Sequence, residues 1–288
     1  MRPMNGVRCG RASWPRRRLV TMDISGLSTA TGASAGSDFA RLWRERSRIA
    51  GPRPFLTYYD SAAGGRVELS YTTFGNWLAK TANLLQDDLA AAQGDRIALS
   101  APPHWLTAVW AVAPLLTGAV VDPWGPARGA LAVAVGGTDS AALAEGLDCA
   151  GDRFAISSDP MGRPLETVPG GYRDFTTEVR VHGDQFASYD PPTADTPALI
   201  VDGRTLTHRE LVAAAADEAA VVAGSGAGTG LRLLVDSAAD RFSGAELVRW
   251  LYAPLAVGGG VVLVRGADQA ELDRIAEVEH TTAVLRLK

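Results

Sequence analysis

Apolar residues recur at two spacings along this chain, and the switching between them sets the first expectations. Phe39, Leu42 and Trp43 in "FARLWRERSRIA" have helical spacing, with Ser37 or Asp38 placed to cap. "PFLTYYD" and "RVELSY" are aromatic and β-branched, and "SAAGG" between them is turn-forming, which predicts a hairpin. "TTFGNWLAKTANLLQDDLAA" returns to the helical period at Phe74, Trp77, Leu78, Leu84 and Leu85. "DRIALSA" then reads as a strand, "HWLTAVWAVAPLL" as a helix and "AVVD" as a strand. From about 126 to 195 the pattern is less regular. "ALAVAVGG" and "RFAISS" read as strands, "DSAALAEGL" as a short helix and "PMGRPLETVPGGYRDF" as a loop. The strand "TPALIVD", the helix "HRELVAAAADEAAVVA" and the strands "LRLLVD" and "TTAVLRLK" complete the series. Trp105, Trp110 and Trp250 fall on helices at packing positions and are expected in the core.

Strands alternating with helices over short connections predict an α/β fold with mainly parallel sheets. The chain also matches itself. "LSYTTFGNWL" (69–78) aligns with "RTLTHRELVA" (204–213), "RIALS" with "LRLLVD", and "APLLTGAVV" with "APLAVGGGVV", setting Pro114 and Gly118 against Pro254 and Gly258. The expectation is two repeated helix–strand–helix–strand units packed as one body: 36–190, with the hairpin and irregular connection, and 191–288.

Composition narrows the classes. Of 288 residues, 47% are hydrophobic and 21% charged, ordinary values for a soluble globular protein. The longest apolar run, 105–121, is broken by Pro114 and Gly118, so no membrane span is expected. Two cysteines, Cys9 and Cys149, and four scattered histidines predict no disulfide framework or metal site and fit a cytoplasmic location. Residues 1–21 hold six arginines and no acid, leaving 22 basic against 32 acidic residues in the rest. Such a body does not attract nucleic acid. Residues 1–35 are expected to be a disordered basic extension, with Met22 an alternative start, because no apolar stretch follows the basic run as a secretory signal requires.

Two glycine clusters invite a phosphate-loop reading. "VVAGSGAGTG" (221–230) follows a helix and precedes a strand, the reverse of the order a phosphate cradle needs. It reads as a helix-to-strand connection. "LAVAVGGTDSAALAEGL" has the correct order, with Thr138, Asp139 or Ser140 opening the helix, but no Lys or Arg lies nearby and Asp139 would repel a phosphate, so it reads as a turn and an N-cap.

"LSYTTF", "GDRIALSAP" and "TGAVVDP" occur in an order and spacing that resemble the opening of the adenylate-forming ligases: acyl-CoA synthetases, adenylation domains and luciferases. The matching residues are Leu69, Ser70, Tyr71, Phe74, Gly94, Asp95, Ile97, Ala98, Leu99, Gly118, Ala119 and Pro123. In the second unit the strand "ALIVD" and the helix start Thr207-His208-Arg209-Glu210-Leu211 also resemble that family. There the resemblance implies a Ser/Thr/Gly-rich phosphate loop ending in Pro-Lys-Gly. Here only Gly203-Arg204-Thr205-Leu206 stands between strand and helix. The lysines are Lys80 and Lys288 alone, neither at a position the family uses on ATP, and the family's adenine, ribose and magnesium motifs are not present. The chain is similar to the N-terminal half of a ligase, and resembles a short actinobacterial family at the margin of the AMP-binding enzymes.

The resemblance implies two regions to inspect. Gly203, Arg204, Thr205, Thr207 and His208 occupy the vestigial phosphate-loop position. Asp236, Asp240, Arg241 and Phe242 replace a segment that borders the acyl pocket, with Asp240 and Arg241 expected as a surface pair. No catalytic residue or metal ligand is singled out. The implied function is that of a non-catalytic ligand-binding or regulatory relative of the acyl-CoA synthetases, with ATP, AMP or CoA as the ligands to consider and a protein partner or a small acyl or nucleotide molecule as the target. The alternatives are one half of a split adenylating ligase and a structural interaction module.

Overall fold

The computed structural model describes residues 38–223 and 230–287. The expectations for residues 1–35 and for most of the glycine cluster at 221–230 lie outside the described residues.

Helix α1 (Phe39–Ala50) starts where Asp38 accepts the Arg41 N–H, and its buried face is Phe39, Leu42 and Trp43. Strands β1 (Pro54–Asp60) and β2 (Gly65–Ser70) form the expected antiparallel hairpin. Helix α2 (Tyr71–Asn83) continues as a π-turn over Leu84–Asp88. Strand β3 (Arg96–Ser100), the wholly buried helix α3 (Trp105–Thr117) and β4 (Val120–Pro123) follow, then β5 (Ala132–Gly136), α4 (Ser140–Gly146) and β6 (Asp152–Ile156). At the end of the expected loop lies a two-residue strand, β7 (Arg173–Asp174), and directly after it a short helix, α5 (Phe175–Val179). Asp174 caps that helix, and neither piece is long enough to show a period.

The second half begins with β8 (Pro197–Val201), β9 (Arg204–Thr207) and α6 (His208–Ala223). Strand β10 (Arg232–Ser237) leads to α7 (Gly244–Leu247), a π-turn over Val248–Tyr252 and α8 (Ala253–Ala256). Strand β11 (Gly260–Arg265), α9 (Gln269–Val278) and β12 (Ala283–Leu287) complete the order. Residues 204–207 are thus a strand of a second hairpin, not the turn the sequence suggests.

Two sheets result, ordered β12-β10-β11-β1-β2 and β7-β6-β5-β3-β4-β8-β9. Every pairing is parallel except within the two hairpins. The α/β class and the mainly parallel sheets stand as expected. The repeat is also real in three dimensions: β5-β3-β4-β8-β9 of one sheet matches β12-β10-β11-β1-β2 of the other. Each sheet therefore takes its outer hairpin from the other half of the sequence. Val261 of β11 lies opposite Leu56 of β1, as Val121 of β4 lies opposite Leu199 of β8.

Backbone bonds repeat with the strands. The Val120 N–H reaches Asp95 O at 2.7 Å, and the Gly260 N–H reaches Leu231 O at 2.8 Å. Gly118 and Gly258 both take left-handed φ values, 86° and 69°, after Pro114 and Pro254. Register corrects the sequence alignment in one place. Both hairpins carry their irregularity at the proline, and Ser70 pairs with Pro54 as Thr207 pairs with Pro197. Ser70 and Thr207 are therefore equivalent, two residues away from the 69–78/204–213 alignment, and Ser70 rather than Thr72 caps α2. One core joins the two halves, with Trp43, Tyr71 and Phe74 packed beside Trp110, Trp250 and Tyr252 in the same buried cluster. The Tyr71 hydroxyl donates to Gly259 O at 2.7 Å and the Tyr252 hydroxyl to Ala111 O at 2.5 Å, crossing between the halves in both directions.

Candidate functional site

At the phosphate-loop position, β8 turns directly into β9. Asp202 and Gly203 take φ values of 48° and 78°, and Val201 pairs with Arg204, a two-residue turn of the kind that closes tight hairpins. Arg204 and Thr205 are exposed on β9, and the Arg204 guanidinium is paired with Glu210. Thr207 caps α6 through a reciprocal arrangement. Its N–H donates to Glu210 Oε2 at 2.8 Å, and its Oγ1 accepts the Glu210 N–H at 3.3 Å. The Thr207 backbone N–H, followed by the Thr207 hydroxyl and the paired Arg204, holds the Glu210 carboxyl below its ordinary range. Glu210 thus occupies both the cation and the helix N-terminus that a phosphate would use.

His208 turns inward instead. It is fully buried, its Nδ1 accepts the Phe39 N–H at 3.1 Å, and its Nε2 is buried with no partner. Burial pushes its pKa down to about 4, so the ring is neutral and carries its proton on Nε2. It ties α1 to α6.

The second set disperses. Asp236 faces Arg286 at 3.6 Å, and Asp240 pairs with Arg265 at 2.9 Å. Asp240 and Arg241 are consequently not a pair with each other. Phe242 is buried edge-on against Trp250, with 6.0 Å between ring centres. Arg241 lies over the Trp124 ring, 4.4 Å from its centre. Trp124 follows the last residue of β4, has a φ of 57°, and keeps its Nε1 buried without a partner. Strand β4 pairs parallel to β8, with Val121 opposite Leu199, and Trp124 and Asp202 are the residues that follow the two strands. A side chain at Gly244 would meet Ile200 O at 2.3 Å, so the start of α7 is pressed onto the end of β8.

The Trp124–Arg241 pair and the Asp202-Gly203 turn thus follow the C-terminal ends of neighbouring strands, β4 and β8, of the larger sheet. Open α/β sheets present ligands at such an edge. Sequence reasoning missed Trp124, although a tryptophan inside "DPWGP", away from any helical period, is the signal that finds it. It also missed His104, the N-cap of α3, whose ring packs 4.5 Å from that of Tyr58. Burial, then the charge of Arg265, pushes the His104 pKa down to about 3.

Lys80 is engaged elsewhere: its Nζ donates to His182 O at 2.5 Å and pairs with Asp184 at 2.9 Å. A shallow depression of about 600 Å³ on α9, lined by Asp273, Arg274, Ala276, Glu277, His280 and Thr281, shares no residue with either expected set. Among the described residues no group of three or more His, Cys, Asp or Glu side chains is placed to hold a metal. No helix among them is long and apolar enough to cross a membrane.

No family model matches the chain. A protein of Mycobacterium tuberculosis described as a TIGR03089 family protein is 38% identical over 245 residues, covering 83% of this chain and 93% of its own length. An acyl-CoA synthetase of Brucella canis superposes with a TM-score of 0.69 at 20% identity, covering 92% of this chain and 50% of its own. The N-terminal domain of FACL13 from Mycobacterium tuberculosis gives 0.63 at 14% identity, with 85% and 61% covered. The N-terminal subdomain of NpsA from Klebsiella oxytoca, in complex with 3-hydroxybenzoyl-AMSN, gives 0.59 at 18% identity, with 88% and 61% covered. The chain thus spans about half the length of the synthetase it superposes on. With the fold of the N-terminal domains of acyl-CoA synthetases and adenylation domains, and with near-complete coverage of its mycobacterial relative, the chain belongs to the TIGR03089 family.

Proposed function

We propose that this protein is a non-catalytic relative of the acyl-CoA synthetases that binds an acyl or nucleotide ligand at the Trp124–Arg241 edge. One observation carries the reading: the β8–β9 connection is the two-residue turn Asp202-Gly203, closed by the Val201–Arg204 pair. Forming an acyl-adenylate requires donors and cations held around a triphosphate as charge develops. A two-residue turn has no run of free N–H groups to wrap a phosphate, Arg204 is neutralised by Glu210, and Lys80 is held by His182 and Asp184. Each missing electrostatic contact lowers such a rate on the order of 100-fold. A planar base or an acyl thioester still has the Arg241 guanidinium, stacked on Trp124, to meet.

The test is a thermal-shift and calorimetry series with ATP, AMP, CoA and acyl-CoAs, run beside ATP–pyrophosphate exchange with fatty and aromatic acids. Saturable binding of one ligand class, weakened by Arg241→Ala, with exchange at the no-protein level is the expected result. A ligand present at 100 times its Kd stabilises the fold by about 2.7 kcal/mol. Exchange by the isolated chain would overturn the reading. A second reading, one half of a split ligase, is supported by the 61% coverage of the relatives' N-terminal domains. Exchange that appears only on adding a second protein would select it.

A further inference from the structure

The connection from α5 to β8, residues 180–196, forms neither helix nor strand and carries the chain from one half to the other. Its middle lies along α2 and is gripped through its carbonyls. Lys80 Nζ donates to His182 O at 2.5 Å, and Asn83 Nδ2 donates to Gly183 O at 3.1 Å and Gln185 O at 2.9 Å. Gln86 Nε2 donates to Ala187 O at 3.3 Å, and its Oε1 accepts the Tyr189 N–H at 2.9 Å. These side chains stand three residues apart, so they form one ridge along the helix and its π-turn. Gln93 continues the grip, donating to Asp190 O and Pro191 O. Among the described residues, no main-chain group from 183 to 191 bonds to another main-chain group. The side chains of that stretch add little. Asp184 pairs with Lys80 at 2.9 Å, the Tyr189 hydroxyl donates to Asp87 at 3.0 Å, and Phe186 packs partly buried against the main core. Tyr189 itself is 80% exposed.

We propose that residues 182–191 are a strap that opens and closes over α2 as a unit while both sheets stay folded. The inference goes beyond the proposed function and holds whether or not the Trp124–Arg241 edge takes a ligand. Local opening is easiest where buried apolar contact is sparse and the hydrogen bonds lie near the surface, and the strap meets both conditions. A grip on carbonyls follows the course of the main chain and not its side chains. Apart from Phe186, the strap therefore has no packing fit to rebuild each time it closes. Its two ends bound the motion. The His182 N–H bonds to Val179 O at the end of α5, and before β8 Pro192 is buried and the Thr196 hydroxyl donates to Gln93 Oε1 at 2.9 Å. Opening thus leaves α5 and β8 in place and has one chemical consequence. Lys80 loses both His182 O and Asp184, and its ammonium turns to solvent. The strap is a switch for the availability of that cation.

The two aromatic residues of the strap supply the readout, because chymotrypsin cuts after Phe186 and Tyr189 once the segment leaves α2. Cleavage of the full chain at these two bonds is followed by mass spectrometry at rising urea below the unfolding transition, corrected with an unstructured peptide substrate. Proteolysis of a transiently opened segment tracks the population of the open form, and a short strap exposes little surface. The expected rate therefore changes by less than about twofold over that range. The double substitution Asn83→Ala with Gln86→Ala removes the amide grip and is expected to raise the rate at least about tenfold, still without urea dependence. Cleavage that climbs with urea in step with unfolding seen by circular dichroism would overturn the proposal, since the strap would then open only with the whole fold. An unchanged rate in the folded double variant would overturn it as well. If that variant does not fold, the urea dependence of the parent decides alone.

Discussion

His208 and His104 are both neutral because burial disfavours their charged forms, and this makes acid a selective probe of the core. Their folded pKa values, about 4 and about 3, lie below the unfolded value near ~6.5. Between those limits the unfolded chain binds more protons. Stability is therefore full above pH ~6.5 and is lost as the pH falls, at about 1.4 kcal/mol per unit for each histidine. His208→Gln keeps an acceptor for the Phe39 N–H but removes one titrating group. Urea unfolding at pH 7 and pH 5 should show the acid loss reduced by about 2 kcal/mol relative to the parent. An unchanged acid loss would mean that His208 is not buried as described. The residue was visible in the sequence as part of a Thr-His helix start, but its role was not. Its partner, the Phe39 N–H, is 169 positions away, and no local pattern reports such a contact.

The elements were the most legible level, because period and capping chemistry are local. The first hairpin and the end of α3 before Gly118 read correctly from the sequence, and Asp38 and Asp139 were among the caps it offered. What failed were short or compensated pieces. Strand β7 and helix α5 are too brief for a period, and β9 was missed, despite the hairpin signal Asp202-Gly203, because only four residues separate that turn from α6. The two glycines of the repeat allow a comparison. Gly118→Ala and Gly258→Ala both force a side chain into the left-handed region, about 1 kcal/mol each. At Gly118 the new methyl also meets Gln93 Cγ at 2.7 Å, whereas at Gly258 the nearest atom is Arg46 Cδ at 3.5 Å. Gln93 would have to release Thr196, whose hydroxyl it accepts at 2.9 Å. Denaturation should show Gly118→Ala costing roughly 2–3 kcal/mol and Gly258→Ala about 1 kcal/mol. Equal losses would show that Gln93 moves freely.

For the whole molecule, the exchange of hairpins decides cooperativity. Removing residues 191–288 takes β8 and β9 from one sheet and leaves β1 and β2 with no β11 to pair with. The halves 38–190 and 191–288 are accordingly expected to be unfolded when expressed alone, and the full chain to melt in a single transition. Circular dichroism and calorimetry check both. A stably folded half with its own transition would show that the shared core and exchanged strands are not what hold the units together. Nothing in the hydrophobic pattern distinguishes a hairpin that joins its own unit from one that joins the other, since the strands carry the same apolar faces in either case. That is why the repeat was readable and its exchange was not.

The same exchange sets a timetable for biosynthesis. Leu56 leaves the ribosome 205 residues before Val261, its partner across β1 and β11. At about 5–20 residues per second, the nascent hairpin stands without its parallel neighbour for roughly 10–40 s. The first half emerges with Phe55, Leu56 and Tyr58, all buried in the finished protein, still waiting for their cover. Translation speed and chaperone supply, more than the stability of the finished fold, should then govern how much of this protein accumulates.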